Sequence, residues 1–216
     1  MKQWPLPREQ VTAIDKFFAD RLAAGNVRES TSPHSSSTFC VRKATGGWWI
    51  VHAFNKLNAA TVPAQTPIPR KDVIIDGMAK STVFLSTDLM DGFYQILVRE
   101  RDIPYTAGST IGMLWKWLVM PQGLSNACAT FNRCVTNLLR SVRDFAPSYF
   151  DDVFSHSRSM DITTDVEVHI IHVRKVLTLM REHKLFANLK ECIFAANEIP
   201  RLGCIVGKNG VRPDPE

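Results

Sequence analysis

No apolar run in the sequence approaches the length of a membrane span. The first residues, MKQWPLPREQ, contain no apolar stretch of the signal-peptide kind. From these two absences we expect an intracellular, cytoplasmic protein with no membrane partner. Cysteine is sparse and unpaired in pattern. Cys40, Cys128, Cys134, Cys192 and Cys204 are odd in number and form no C-x-x-C, which argues against a zinc knuckle or a disulfide framework. Internal repeats and long disordered tracts are also missing. The charge excess is small, +5 with a pI near 9.0, compatible with a nucleic-acid partner without demonstrating one. What is present is ordinary: 216 residues, 45% hydrophobic and 22% charged, enough for one or two domains with a real core.

Periodicity predicts a helix in REQVTAIDKFFADRLAAGNV, with Val11, Ile14, Phe18 and Leu22 on one face and Gly25-Asn26 as its stop. TFCVRKATGGWWIVHAFN reads as a hairpin turning at Gly46-Gly47. VPAQTPIPRK holds three prolines and must be extended or irregular. A short helix follows around KDVIIDGM. STVFLSTDL, GFYQILV and GMLWKWLVM read as strands, and residues 125–143 as a helix carrying Phe131, Val135, Leu138 and Val142. SYFDDVFSHS reads as a hairpin with its aspartates at the turn. Residues 163–183 predict an amphipathic helix whose stripe is Val166, Ile170, Val173, Leu177 and Met180. Strands close the chain. Without a regular βαβ repeat, the class is α+β, a mainly antiparallel sheet with helices on one face.

SYFDDVF poses the chemical question. Two adjacent carboxylates in aromatic and apolar company are either a solvated turn or the ligands of a cation, since a buried unpaired charge is costly. Asp88 ends the strand STVFLSTDL. If that strand neighbours the YFDD hairpin, Asp88 and Asp151 stand about one strand spacing apart, ~5 Å. Such a cluster needs a counter-charge, and Mg²⁺ takes hard oxygen ligands of this kind. Two such ions suit an in-line displacement at phosphorus, that is, nucleotidyl transfer. Taken alone, Asp88 is equally a cap of the next turn, and Asp91 a cap or surface charge.

STDLMDGFYQI, LVMPQGLSNACATF, YFDD, HVRKVLTLMREHKLFANLKEC and GVRPDPE occur in this order. Together they resemble the reverse transcriptases of gypsy-like long-terminal-repeat retrotransposons, from about Pro5 to Glu216. The resemblance implies a right-hand polymerase with the thumb absent: residues 1–80 as fingers and 81–216 as palm. A fingers-contributed segment near 99–120 and a primer-gripping hairpin near 190–210 complete the division. It implies an RNA-directed DNA polymerase that extends a primer on an RNA or DNA template with dNTPs and Mg²⁺, Mn²⁺ being a substitute. Asp88, Asp151 and Asp152 match the catalytic, metal-binding carboxylates. Lys43, Phe93 and Gln122 match nucleotide-binding positions: a lysine on the triphosphate, an aromatic ring that crowds a ribose 2′-oxygen, and a residue lying against the incoming base. Tyr149, Leu202 and Gly203 match primer contacts. From the residues alone, Lys43 is also a solvated hairpin charge, Phe93 a strand core residue and Gln122 a turn residue.

Departures accompany the match. Trp49 stands where the family usually has a triphosphate-clamping Arg, and an indole offers one N–H and no charge. VHAFNKLN carries Ala53 and Asn55 where its relatives have an Asp–Arg pair, so both partners are missing together. Cys128 replaces a helix-starting Pro. The sequence ends where the family's thumb, connection and RNase H regions begin, so the resemblance implies the rest of a polyprotein as further partners, integrase included, and a virus-like particle or the nucleus as alternative locations. These departures keep a second reading open, an impaired retroelement remnant that only binds nucleic acid. A third, a template-free metal phosphotransferase, fits the carboxylates but not the ordered motifs. His169 and His172 share a helix face without a fitting third ligand, and Trp115 and Trp117 share a strand face suited to sheet packing.

Overall fold

The computed structural model describes residues 4–44 and 46–215. The ends of the predicted regions, residues 1–3 and Glu216, lie outside the described residues, as does Thr45 of VRKATGGW. In chain order the elements begin with α1 (Arg8–Ala23), β1 (Val27–Glu29), β2 (Ser36–Arg42), β3 (Trp48–His52), α2 (Asn55–Ala59) and α3 (Lys71–Met78). They continue with β4 (Val83–Asp88), β5 (Gly108–Ser109), β6 (Leu114–Trp117), α4 (Ala127–Leu138), β7 (Ser148–Tyr149) and β8 (Asp152–Ser157). The last are α5 (Asp165–Glu182), β9 (Ile193–Ala196), β10 (Glu198–Arg201), β11 (Cys204–Gly207) and β12 (Gly210–Pro213). The chain forms two compact units, Met1–Ala64 with Phe93–Ala127 and Gln65–Gly92 with Cys128–Glu216.

The first unit holds a five-stranded sheet in the order β1-β6-β5-β2-β3, antiparallel except for the short β2–β5 pair. α1 forms where the periodicity places it and stops as a Schellman motif. The Asn26 N–H donates to the Arg21 carbonyl at 2.9 Å and the Gly25 N–H to the Leu22 carbonyl at 3.0 Å. Gly25 supplies the left-handed φ of 72° that this ending needs. Ile14 and Phe18 of α1 enter a core with Val27, Ile50, Trp115, Trp117 and Val119. Both tryptophans therefore pack inside the fold, as their shared strand face predicts.

His52 sits in that unit fully buried and neutral. The Trp117 indole can only donate, so its 3.1 Å bond fixes His52 Nε2 as an acceptor and leaves the proton on Nδ1, 2.9 Å from Thr38 Oγ1. Burial pushes the His52 pKa down from 6.5 to about 4, and burial chiefly does the same for His156 on β8. Between these values the unfolded chain binds more protons than the folded one. The stabilisation is complete above pH 6.5 and is lost as pH falls toward 4, by about 3 kcal/mol per buried histidine. Urea unfolding at pH 7.0 and 4.5 is expected to show a clear drop in midpoint. A flat profile contradicts this.

The predicted strand GFYQILV is corrected. Gly92–Gln95 is a single 3-10 turn, and only Leu97 makes an isolated bridge, to Val119. Tyr94 stacks on Trp117 at 5.2 Å with the planes 5° apart, and the Arg21 guanidinium carbon lies 4.1 Å from the Tyr94 ring centroid. Such stacking fixes one aromatic rather than alternating the run across a sheet.

The second unit holds a four-stranded sheet in the order β7-β8-β4-β9, all antiparallel, and a three-stranded sheet, β10-β11-β12. Ile74, Ile75 and Met78 of α3 pack with Phe84, Phe154, Ile199 and Val206. α4 buries Phe131 and Val135. α5 begins at a Thr164 capping box: the Glu167 N–H donates to Thr164 Oγ1 and the Thr164 N–H to Glu167 Oε2.

The predicted stripe of α5 is also corrected, except at Met180, which is buried as expected. The helix buries Val168, His169, Val176 and Met180, whereas Val166, Ile170 and Leu177 are exposed. The helix carries two apolar stripes, and the one that docks includes histidines. Ser157 Oγ lies 3.0 Å from His169 Nδ1 and 2.9 Å from His172 Nδ1, so one nitrogen of each ring has a partner inside the fold, while the buried His169 Nε2 has none. Hydrophobicity alone ranks that face too low.

Candidate active site

β4 and β8 are neighbours, and their register places Asp88 directly opposite Asp152. Asp151 precedes β8 in the turn from β7, where Tyr149 pairs with Asp152. Phe150 in that turn has a left-handed φ of 51°, a conformation of order 1–2 kcal/mol for a bulky L-residue. The Leu89 N–H donates to the Asp151 carbonyl at 2.8 Å and ties the turn to the end of β4. Three acids from two distant stretches thus lie at one end of the second unit's sheet; β4 and β8 pair as assumed, but the residue opposite Asp88 is Asp152, whereas the sequence reading set Asp88 against Asp151, which lies in the turn.

Gly92 makes room for them. A Cβ there would lie 2.6 Å from Asp151 Oδ1 and 2.6 Å from the Phe131 ring. The motif STDLMDGFYQI contains this glycine, but the motif alone assigns it no role. A Gly four residues after an acid at a strand end is the local signal, and only the fold shows the carboxylate against it.

The acids are held uneasily. Burial, then Glu191, Asp152 and Asp151, push the Asp88 carboxyl up to about 6, with Arg201 acting the other way. Burial and then Asp152 raise Asp151. Burial raises Asp152 as well, partly offset by Arg201 and reinforced by Glu191. Arg201 Nε lies 3.8 Å from Asp152 Oδ1. Neither Glu191 nor Arg201 carries a sequence signal, since each lies far along the chain from the acids.

The donor set is carboxylate oxygen throughout, the chemistry of a hard divalent cation rather than a soft one. Among the described residues, however, no three His, Cys, Asp or Glu side chains are already closed around a common point. The residues fit such an ion by donor type, by mutual repulsion and by adjacency. Asp88, Asp151 and Asp152 are those that would hold it.

Tyr149 is half-buried against the core of the same unit, with Lys71 Nζ 5.4 Å from its ring centroid. Leu202 and Gly203 form the turn from β10 to β11 with φ of 59° and 79°, and Leu202 packs against the same core. The structure thus gathers Asp88, Asp151, Asp152, Tyr149, Leu202 and Gly203 in the second unit. Lys43, Phe93 and Gln122 belong to the first. Lys43 ends the β2–β3 hairpin, its N–H donating to the Gly47 carbonyl at 3.1 Å. Its ammonium stands 6.0 Å from the ring of Trp49, which is 55% exposed. Phe93 is half-buried in the 3-10 turn, not in a strand, and Gln122 is exposed in a turn after buried Pro121.

Known proteins bear on this geometry. The chain is 35% identical over 220 residues to a retrovirus-related Pol polyprotein from transposon 297 of Drosophila melanogaster, covering 99% of this chain and 20% of that protein. It is 31% identical over 202 residues to the Pol polyprotein from transposon gypsy of the same organism, covering 90% of this chain and 19% of that one. The chain therefore spans about a fifth of the length of these relatives. Among solved structures, a foamy viral protease-reverse transcriptase in complex with double-stranded DNA superposes with a TM-score of 0.87 at 21% identity, over 100% of this chain and 37% of that one. The same viral protein with an RNA/DNA hybrid also gives 0.87, over 100% of this chain and 28% of that one. The α+β polymerase fold expected from the motifs is the fold found. Residues 41–206 match the family described as reverse transcriptase (RNA-dependent DNA polymerase), and over more than half of its length the chain belongs to that family.

Proposed function

We propose that this chain is the RNA-directed DNA polymerase domain of a retrotransposon polyprotein, extending a primer with dNTPs by two-metal nucleotidyl transfer. The observation that carries the reading is the register pairing of Asp88 with Asp152, with Asp151 tied beside them by the Leu89 N–H. Divalent cations, when bound, supply the positive charge that neutralises the reacting phosphates. Asp88, Asp151 and Asp152 fix where that charge sits. The primer 3′-oxygen bonds to the α-phosphorus as the bond to pyrophosphate breaks, and the hydroxyl proton is released. Lys43 meets negative charge on the triphosphate. Phe93 crowds a ribose 2′-oxygen and so favours deoxynucleotides, and Gln122 lies against the incoming nucleotide. Tyr149 stands near the primer terminus, and the Leu202-Gly203 turn grips the primer strand.

In this proposal the first unit supplies the fingers and the second the palm. The template–primer duplex and the remainder of the polyprotein are the partners. The relatives' polyprotein names and the duplex-bound solved structures support that reading.

The test is extension of oligo-dT on poly-rA by the 216-residue chain with Mg²⁺ or Mn²⁺. Template-dependent incorporation of dTTP that requires the divalent ion is the expected result. Duplex binding without any incorporation would instead support the remnant reading, for which exposed Trp49 in place of a cation is the specific feature.

A further inference from the structure

One cation beside the carboxylates has no part in the reaction as proposed. Arg201 closes β10, immediately before the Leu202-Gly203 turn. Its Nε–H donates to Ser86 Oγ at 2.8 Å and its Nη2–H to the Glu191 carbonyl at 3.1 Å. The same Nε lies 3.8 Å from Asp152 Oδ1. Ser86 is fully buried on β4 and, two residues before Asp88, points to the same face of the strand. The guanidinium is thus fixed at two points by hydrogen bonds that do not involve a carboxylate. Its charge is placed beside Asp152 by the fold and not by attraction alone. The Arg201 and Asp152 side chains are only 26% and 28% exposed, so solvent screens the pair less than a surface ion pair.

We propose that Arg201 is a positioning residue, a resident cation that holds the Asp152 carboxylate and weakens divalent-ion binding at the cluster while tying the β10–β11 turn to it. The guanidinium and a divalent ion carry like charge and share one ligand, Asp152. The tethers to Ser86 and to the residue 191 backbone keep the guanidinium from swinging away when an ion approaches. A bare ion therefore binds weakly and depends on further oxygen ligands, which a nucleotide's phosphates provide. Arg is suited to this task because its planar fork spends donors on the tethers and retains full charge. The same side chain joins the strand that carries the proposed primer turn to the strand that carries Asp88.

This inference rests on Asp88, Asp151 and Asp152 being a cation site, and the test separates the two. Mn²⁺ is titrated into the whole metal-free chain at low ionic strength without nucleotide, free ion being read by electron paramagnetic resonance. Arg201→Gln is expected to bind Mn²⁺ roughly 3- to 10-fold more tightly than the native chain. Arg201→Lys, which keeps the charge but lacks the planar fork that makes both tethers, is expected between native and Arg201→Gln. Asp152→Asn combined with Arg201→Gln loses the gain. Should Arg201→Gln fail to fold, Ser86→Ala releases the guanidinium Nε while leaving Arg201 in place and shifts affinity the same way by a smaller factor. Native affinity in folded Arg201→Gln, or in Ser86→Ala where that variant is needed, overturns the proposal. Mn²⁺ binding that requires Asp88 but ignores Arg201 sinks this inference alone. A native chain that binds no Mn²⁺ sinks the cation site and the inference together.

Discussion

Asp88→Asn is expected to lower primer extension by about 10³-fold or more and, in metal-free buffer at pH 7, to raise the melting temperature of the same chain. The two effects share one cause. Asp88 is partly buried against Glu191, Asp152 and Asp151, and its carboxyl is pushed up to about 6. Folded chains therefore hold a proton at Asp88 that unfolded chains release between about pH 4 and 6. Stability falls as pH rises through that window and stays lower above it. The amide carries no charge and removes the penalty, but it also removes a hard anionic ligand. The trend opposes that of His52 and His156, whose neutral burial favours the fold at higher pH. Removing Asp88 should therefore leave the acid transition of the histidines more clearly exposed. Added Mg²⁺ should stabilise the native chain and have little effect on Asp88→Asn, because an ion stabilises only the state that binds it. Melting with and without Mg²⁺, beside primer extension, checks all three expectations. A variant that is inactive and also less stable would contradict the repulsion argument.

Gly92→Ala is expected to cost about 10²-fold in extension with only modest loss of fold, since a displacement near 1 Å at a reacting group is that expensive. The new methyl would stand 2.6 Å from Asp151 Oδ1 and 2.6 Å from the ring of Phe131. Phe131 is fully buried on α4 and has little room to retreat, so the carboxylate must move. Gly92 has no unusual φ, and the requirement is for the absence of a side chain, not for backbone freedom. Gly77→Ala is the matched control. Gly77 lies in α3 with nothing within 4 Å of its would-be Cβ, so alanine there should be neutral or stabilising by up to ~1 kcal/mol. Equal extension rates for the two variants would remove Gly92 from the site.

Much of this arrangement is legible in the sequence, for physical reasons. α1 and β4 follow from period and length, and the Gly25-Asn26 stop is local backbone chemistry. The convergence of Asp88 with the YFDD turn follows from one assumption, that two strands ending in acids pair, and the β4–β8 register places them so. The failures share a different cause. The docking face of α5 is set by Ser157 bonding two histidines, a tertiary hydrogen-bond pattern that hydropathy ranks as polar. The GFYQILV run folds as a 3-10 turn because Tyr94 stacks on Trp117 from a different stretch of chain. Glu191 and Arg201 matter through what approaches them, and nothing local marks that approach; Gly92 has only its spacing from Asp88 as a local mark.

In the proposed polymerase, side chains from distant stretches hold divalent ions in common. Anomalous diffraction from Mn²⁺-soaked crystals of the native chain tests this directly. A peak within roughly 2.0–2.5 Å of carboxylate oxygens from both Asp88 and Asp151 is the predicted result. Manganese bound only elsewhere on the protein, with both carboxylates left without it at saturating concentration, would contradict the account.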